Sequence, residues 1–188
     1  MNETTKLQAI NTMLSCIGES PVSTLTSTHT ADVSVAQNIL DEVCRELMSR
    51  NWSWNTVTKQ TLTPDLSGQI SVPSSWVRVE HPLKDYAKKG NYLYDRENET
   101  YTFGAAVSDL KAIQLLEWED MPESARRYCM IRAGRTLAGR MVTSEKAVQF
   151  TERDELQAFM LLREYESEQA DYNIFRNTSV AAASRRYV

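Results

Sequence analysis

TADVSVAQNILDEVCRELMSRNWSW, residues 30 to 54, changes its hydrophobic period once, close to its end. Val33, Ala36, Leu40, Val43 and Leu47 recur at steps of three and four, which places one apolar stripe on a helix. Thr30 can cap its start, and Asp32 sits in the first turn, where negative charge suits the helix dipole. Arg50 and Asn51 close it. Trp52, Trp54 and Thr56 then alternate, as residues of a half-buried strand do. The reading is a helix of about twenty residues, roughly 30 Å long, that passes directly into a sheet. The chain is thereby divided into a helical part and a β part.

On the N-terminal side, Thr5 to Ile17 reads as a first helix with Leu7, Ile10, Leu14 and Ile17 as its stripe. Thr5 and Gln8 suit a capping box, Gly18 fits just past the end, and Pro21 prevents a restart. The apolar faces of these two helices can pack as a hairpin. Beyond the junction, candidate strands are Trp52–Thr58, Gln69–Val72, Trp76–Val79, Tyr92–Asp95, Thr100–Phe103 and Lys111–Leu116, with turns at Pro64–Gly68, Pro82 and Lys89–Asn91. In YLYDRENETYTF, Tyr92 and Tyr94 can face Tyr101 and Phe103 across a hairpin.

Helical pattern returns in EWEDMPESARRYCMIRAGRTLAGRM. Asp120 is the expected cap, Glu123 completes its box, and Pro122 is tolerated in the first turn. Met130, Gly134, Leu137 and Met141 form one face. Arg132, Arg135 and Arg140 lie toward another, beside the small residues Ala125, Cys129, Ala133 and Thr136. A last helix starts near Ser144, or again at Thr151 with Asp154 as cap partner. Leu156, Phe159, Met160, Leu161, Leu162 and Tyr165 point almost all the way round it. A helix apolar on every side is buried on every side, so a second subunit is expected to cover one face.

The fold class is therefore α+β: a helical bundle formed by N- and C-terminal segments, with an inserted antiparallel β domain and a projecting hairpin. The expected boundaries are 1–55 with 119–177 for the bundle, 56–118 for the β domain, and 178–188 for a flexible C-terminal arm.

The 188 residues carry a net charge of −4, and tight non-specific DNA binding needs clustered Lys and Arg that displace counterions. Cys16, Cys44 and Cys129 are too widely spaced for a disulfide framework or a zinc signature, and read as buried hydrophobes in a reducing compartment. The N-terminus MNETTK is polar, and no apolar run reaches the ~18 residues of a membrane span. Synthesis in the cytoplasm without a secretion signal is expected.

Glu117, Glu119, Asp120 and Glu123 cluster where the sheet gives way to a helix. They could hold the two carboxylates of a glycan hydrolase; they also suit the electrostatics of a helix start. His29 and His81 lie far apart in loops, as metal ligands without partners or as plain solvated residues. No phosphate loop, nucleophile elbow or Cys–His arrangement is present. The Arg126–Arg140 helix could enter a DNA groove, or its arginines could pair with acids of a neighbouring helix or subunit. No catalytic residue, metal site or cofactor is assigned.

INTMLSCIGESPVSTL, the helix ending in SRNWSWN, YLYDRENETYTF, LLEWEDMPESARRYCMIRAGRTL and EYESEQADYN, in this order, resemble the tail tubular protein A family. These are adaptors, or gatekeepers, of short-tailed podoviruses of the autographivirus kind, and the resemblance spans roughly residues 7 to 175. It implies a non-enzymatic virion protein of the tail, a head-to-tail connector in a ring of twelve copies. Its partners would be the portal protein above and the tubular nozzle (tail tubular protein B) below, with tail fibres nearby. Genomic DNA would pass the lumen without specific binding, and no membrane is involved. Partner contacts are expected in the C-terminal segment, at Phe175, Arg176, Arg185, Arg186 and Tyr187, and on the hairpin at Lys89, Asn91 and Arg96. Net negative charge suits such a duct, so acidic side chains are expected to outnumber basic ones on the lumen. The alternative is a tail-associated glycan hydrolase, acting on cell wall or capsule, with a structural role.

Overall fold

The computed structural model describes residues 3–25, 31–141 and 150–174, and their fold is α+β. Four helices, α1 (Lys6–Cys16), α2 (Ala31–Met48), α3 (Glu123–Met141) and α4 (Glu152–Ile174), flank five strands. The strands are β1 (Thr56–Leu62), β2 (Trp76–Glu80), β3 (Tyr86–Lys89), β4 (Tyr92–Asp95) and β5 (Val107–Gln114). Two compact units result, one drawn from Met1–Cys44 and Trp118–Val188, the other from Arg45–Glu117.

Helix α1 begins at the expected capping box: the Thr5 hydroxyl accepts the Gln8 N–H at 3.2 Å, and the Gln8 side-chain Oε1 accepts the Thr5 N–H at 2.9 Å. It ends in a Schellman motif, with Gly18 at φ +81° and the Glu19 N–H reaching back to the Leu14 carbonyl at 3.1 Å. The buried face is Ala9, Ile10, Met13, Leu14 and Cys16, while Leu7 and Ile17 are only half-buried. Its closest packing is against α3, and not the expected hairpin with α2. The reason is side-chain size. Ala125, Cys129 and Ala133 of α3 are wholly buried and let a neighbouring backbone approach.

In α2 the expected stripe is buried, together with Ile39, Cys44 and Met48; the expected cap Thr30 lies outside the described residues. The helix does not pass straight into a strand. Ser53–Asn55 form a 3-10 turn, and β1 starts only at Thr56. The alternation of Trp52 and Trp54 reflects instead two indoles stacked at 6.2 Å. The unpaired carbonyls at the end of α2 need partners, and the turn supplies them. Trp52 Nε1 donates to the Leu47 carbonyl at 2.8 Å, and Asn55 Nδ2 to the Met48 carbonyl at 2.6 Å.

Strands β1, β5 and β2 form one antiparallel sheet with β5 central, and β3 pairs with β4 in a separate hairpin. Ile70, Val72, Trp76, Val79, Leu93, Phe103, Val107, Leu110 and Ala112 make the core of this unit. Two expectations need correction. The hairpin partner of β4 is Tyr86–Lys89 through the two-residue turn Gly90–Asn91, with Gly90 at φ +61°. Gln69–Val72 and Thr100–Phe103 contribute only isolated bridges, Gln69 to Thr102, Ser71 to Tyr92 and Asp95 to Thr100. Tyr94 and Tyr101 do meet, at 4.8 Å, but Phe103 packs edge-on against Tyr86.

Helix α3 starts later than a cap at Asp120 requires, because Ala125 and Arg126 N–H groups bond to the Pro122 carbonyl and Trp118–Asp120 form a 3-10 turn. Glu123 does not fold back to complete a box; its carboxylate accepts the N–H and hydroxyl of Thr4. Of the face expected to carry Met130, Gly134, Leu137 and Met141, Gly134 and Leu137 are buried, Met130 is half-buried and Met141 is exposed. Gly134 allows the tightest approach, since a Cβ there would stand 3.1 Å from the Phe150 ring and 3.5 Å from the Cys16 sulfur. Arg126, only 4% exposed, donates to the Met121, Glu119 and Thr4 carbonyls and pairs with Glu3 at 3.1 Å, so it anchors the N-terminal segment.

Candidate assembly surface

The last helix sets the site. Thr151 and Asp154 cap α4 as expected: Asp154 Oδ2 accepts the Thr151 N–H at 2.7 Å, and the Thr151 hydroxyl accepts the Asp154 N–H at 3.2 Å. The Thr151 N–H and then the Thr151 hydroxyl, which donates to the same Oδ2 at 2.8 Å, hold the Asp154 carboxyl below the ordinary carboxylate range, helped by the charges of Arg153 and Arg127. Arg135 of α3 pairs with Glu155 and, at 3.3 Å, with Glu152, which clamps α4 onto α3. Tyr128 and Phe159 pack between the same two helices with ring centroids 5.3 Å apart.

Packing against α3 buries Ala158 and Leu162 and half-buries Phe159 and Tyr165. Leu156, Met160 and Leu161 are left 53%, 60% and 47% exposed. The apolar surplus read from the sequence is thus present on α4, and the other described residues leave it largely uncovered. Leu156 and Met160 are one turn apart and make a ridge. Leu161 points elsewhere, into an open groove of about 200 Å³ between α3 and α4, lined by Arg127, Ile131, Phe150, Asp154, Gln157 and Ala158.

The arginines of α3 are largely engaged within the unit. Besides Arg126 and Arg135, Arg132 donates to the Tyr128 hydroxyl at 2.8 Å and Arg140 pairs with Glu42 of α2 at 3.5 Å. That leaves a row of cations for a DNA groove unavailable. Arg127 is exposed and has no acidic partner within ion-pair distance among the described residues.

The expected contact residues on the hairpin do not form one patch. Lys89 and Asn91 are at its tip, where the Lys89 ammonium lies 3.4 Å from the Tyr94 ring centroid and the Asn91 carbonyl accepts the Val72 N–H. Arg96 lies at the far end of β4, roughly 16 Å along an extended chain, and pairs with Asp85 at 3.5 Å. Phe175, Arg176, Arg185, Arg186 and Tyr187 lie outside the described residues. Leu66 and Leu83, nearly or wholly exposed in loops of the same unit, were not singled out as contacts. Their signal was a leucine inside a turn segment, Pro64–Gly68, and another directly after Pro82.

The acidic cluster gives hydrolase chemistry no support. Glu123 is engaged by Thr4, while Glu119 and Asp120 are exposed on the 3-10 turn. No group of three metal-ligating side chains occurs among the described residues, and no described helix is long and apolar enough to cross a membrane.

The helical unit of this α+β chain thus carries an exposed apolar ridge and an open groove. A family model described as tail tubular protein matches residues 7–172. The chain belongs to the tail tubular protein family of podoviruses and is a structural component of the virion tail. No curated protein matches it.

Proposed function

We propose that the chain is a ring-forming adaptor that joins the portal to the tubular nozzle, helps to retain the genome, and passes DNA during ejection. Family membership over residues 7–172 together with the uncovered apolar surface of α4 carries this reading. A lone subunit that leaves Leu156, Met160 and Leu161 in water gains by covering them with a neighbour. The work is assembly and gating by contact, in keeping with a family of structural proteins.

In this reading twelve copies surround the duct with their helical parts, and the β parts face the nozzle and fibres. The segment containing Phe175, Arg176, Arg185, Arg186 and Tyr187 docks to the portal. Acidic side chains outnumber basic ones along the lumen, so that DNA slides without adhering. Imaging of tailed particles is the test. A closed ring of this chain between portal and nozzle is expected; finding the chain elsewhere in the particle, or no ring, overturns the proposal. Deleting Thr178–Val188 should leave the subunit folded and reduce the yield of filled, tailed particles.

A further inference from the structure

We infer that His81 is a proton-sensitive latch on the loop between β2 and β3. It holds Leu83 out in solvent while the imidazole is neutral and releases it when the ring is protonated. Leu83 is 86% exposed, so no core contact fixes it. A bond two residues back does so: the Leu83 N–H donates to His81 Nδ1 at 3.0 Å. That nitrogen accepts only while it carries no proton, so the bond requires the neutral ring with its hydrogen on Nε2. Once both nitrogens carry hydrogen, two N–H groups point at each other and the turn loses its closure. Imidazole is the side chain that ordinarily changes charge between about pH 5 and 8. The latch closes toward the upper end of that range and opens toward the lower, and the proton decides where an exposed leucine stands.

The ring itself is held in place. It stands edge-on to Tyr86, the other titratable side chain against it, with centroids 5.4 Å apart, and Tyr86 packs edge-on against the core residue Phe103 at 5.6 Å. The effect of the proton therefore falls on the loop. Pro82 has a fixed φ. Beyond Leu83 the chain is tied again, with the Tyr86 N–H on the Lys84 carbonyl at 3.1 Å and the Arg96 N–H on the Asp85 carbonyl at 3.0 Å. Movement is thereby confined to residues 82–84. The charges nearby are already matched. Glu80 is held by Arg78 at 2.8 Å and Lys111 at 3.4 Å, Asp85 by Arg96 at 3.5 Å, and Lys84 lies 3.9 Å from Glu97. Among the described residues no carboxylate stands within ion-pair distance of the imidazole, so none replaces the bond lost on protonation.

Solution NMR of the whole chain tests this through amide exchange of Leu83 from about pH 8 to about pH 5, with urea unfolding as the control for folding. His81→Asn keeps an acceptor that reaches the N–H two residues on and does not titrate; His81→Ala has none. Residue 82 is proline in all three proteins, so the intrinsic exchange of the Leu83 amide is the same and they compare directly at each pH. At the upper end the wild type should protect Leu83 comparably to His81→Asn. At the lower end it should protect it roughly two- to tenfold less, the change following the His81 ring signal. His81→Ala should leave the amide unprotected throughout. Wild-type protection that runs parallel to His81→Asn over the whole range overturns the inference. So does a His81 ring that keeps one charge state across it, or an alanine variant that protects Leu83 as the wild type does.

Discussion

Asn55 ties the end of α2 and the turn after it to the distant end of β5. Its side chain accepts the Trp52 N–H at 3.1 Å and donates to the Met48 and Gln114 carbonyls at 2.6 and 3.2 Å, while 1% exposed. Replacing it with Ala strands those groups away from water, and a loss of about 2–3 kcal/mol in urea unfolding is expected. A loss near zero would show that the site rehydrates. Asp95 acts over a shorter range. Its carboxylate accepts the Asn98 side-chain amide at 2.9 Å and the Asn98 and Glu97 N–H groups, and Lys84 adds a favourable charge. Together these hold its carboxyl below the ordinary range. The folded state therefore binds fewer protons than the unfolded one. The stabilisation is present above the ordinary carboxylate pKa and is lost as pH falls through the depressed value. Asp95→Asn should flatten stability against pH in that acid window, and an unchanged acid limb would count against the assignment. The caps Thr5–Gln8 and Thr151–Asp154 were legible because both partners lie three residues apart. Asn55, Arg126 and Glu123 were not, since their partners come from up to 122 residues away.

At the level of elements, periodicity located all four helices but misjudged the strands. YAKK, the β3 segment, is short and carries two lysines, so it gives little of the alternation expected of a strand. It is a strand because Tyr86 packs on Phe103 and the Lys88 ammonium binds the Trp76, Pro73 and Ser74 carbonyls. The pairing of β1 with β5 shows a further device. One residue is added on β1 between Val57 and Gln60 and one on β5 between Leu110 and Val107, which restores the register. Lys59 and Asp109, both at φ +57°, fall in these two bulges. A left-handed Lys costs about 1–2 kcal/mol, and Gly avoids that at about 0.5–1 kcal/mol of added chain entropy. Lys59→Gly should therefore stabilise the fold by up to about 1 kcal/mol, read as a higher urea midpoint. A lower midpoint would mean that the lysine side chain holds the edge.

For the whole molecule, charge and assembly are the measurable quantities. With 21 Lys and Arg against 25 Asp and Glu, and with the α3 arginines largely paired internally, the isolated chain should not retain duplex DNA at physiological salt. Salt-sensitive retention in a gel-shift titration would contradict this. The sequence by itself determined the α+β class, the helix ends closed by local caps, and the excess of apolar positions on α4, because these depend on spacing and on neighbours within a turn. Only the tertiary structure decided that α1 prefers α3, that a 3-10 turn separates α2 from the sheet, and which sides of α4 remain bare. Those outcomes depend on how closely two backbones can approach and on which distant carbonyls still need a donor, and no local pattern encodes either.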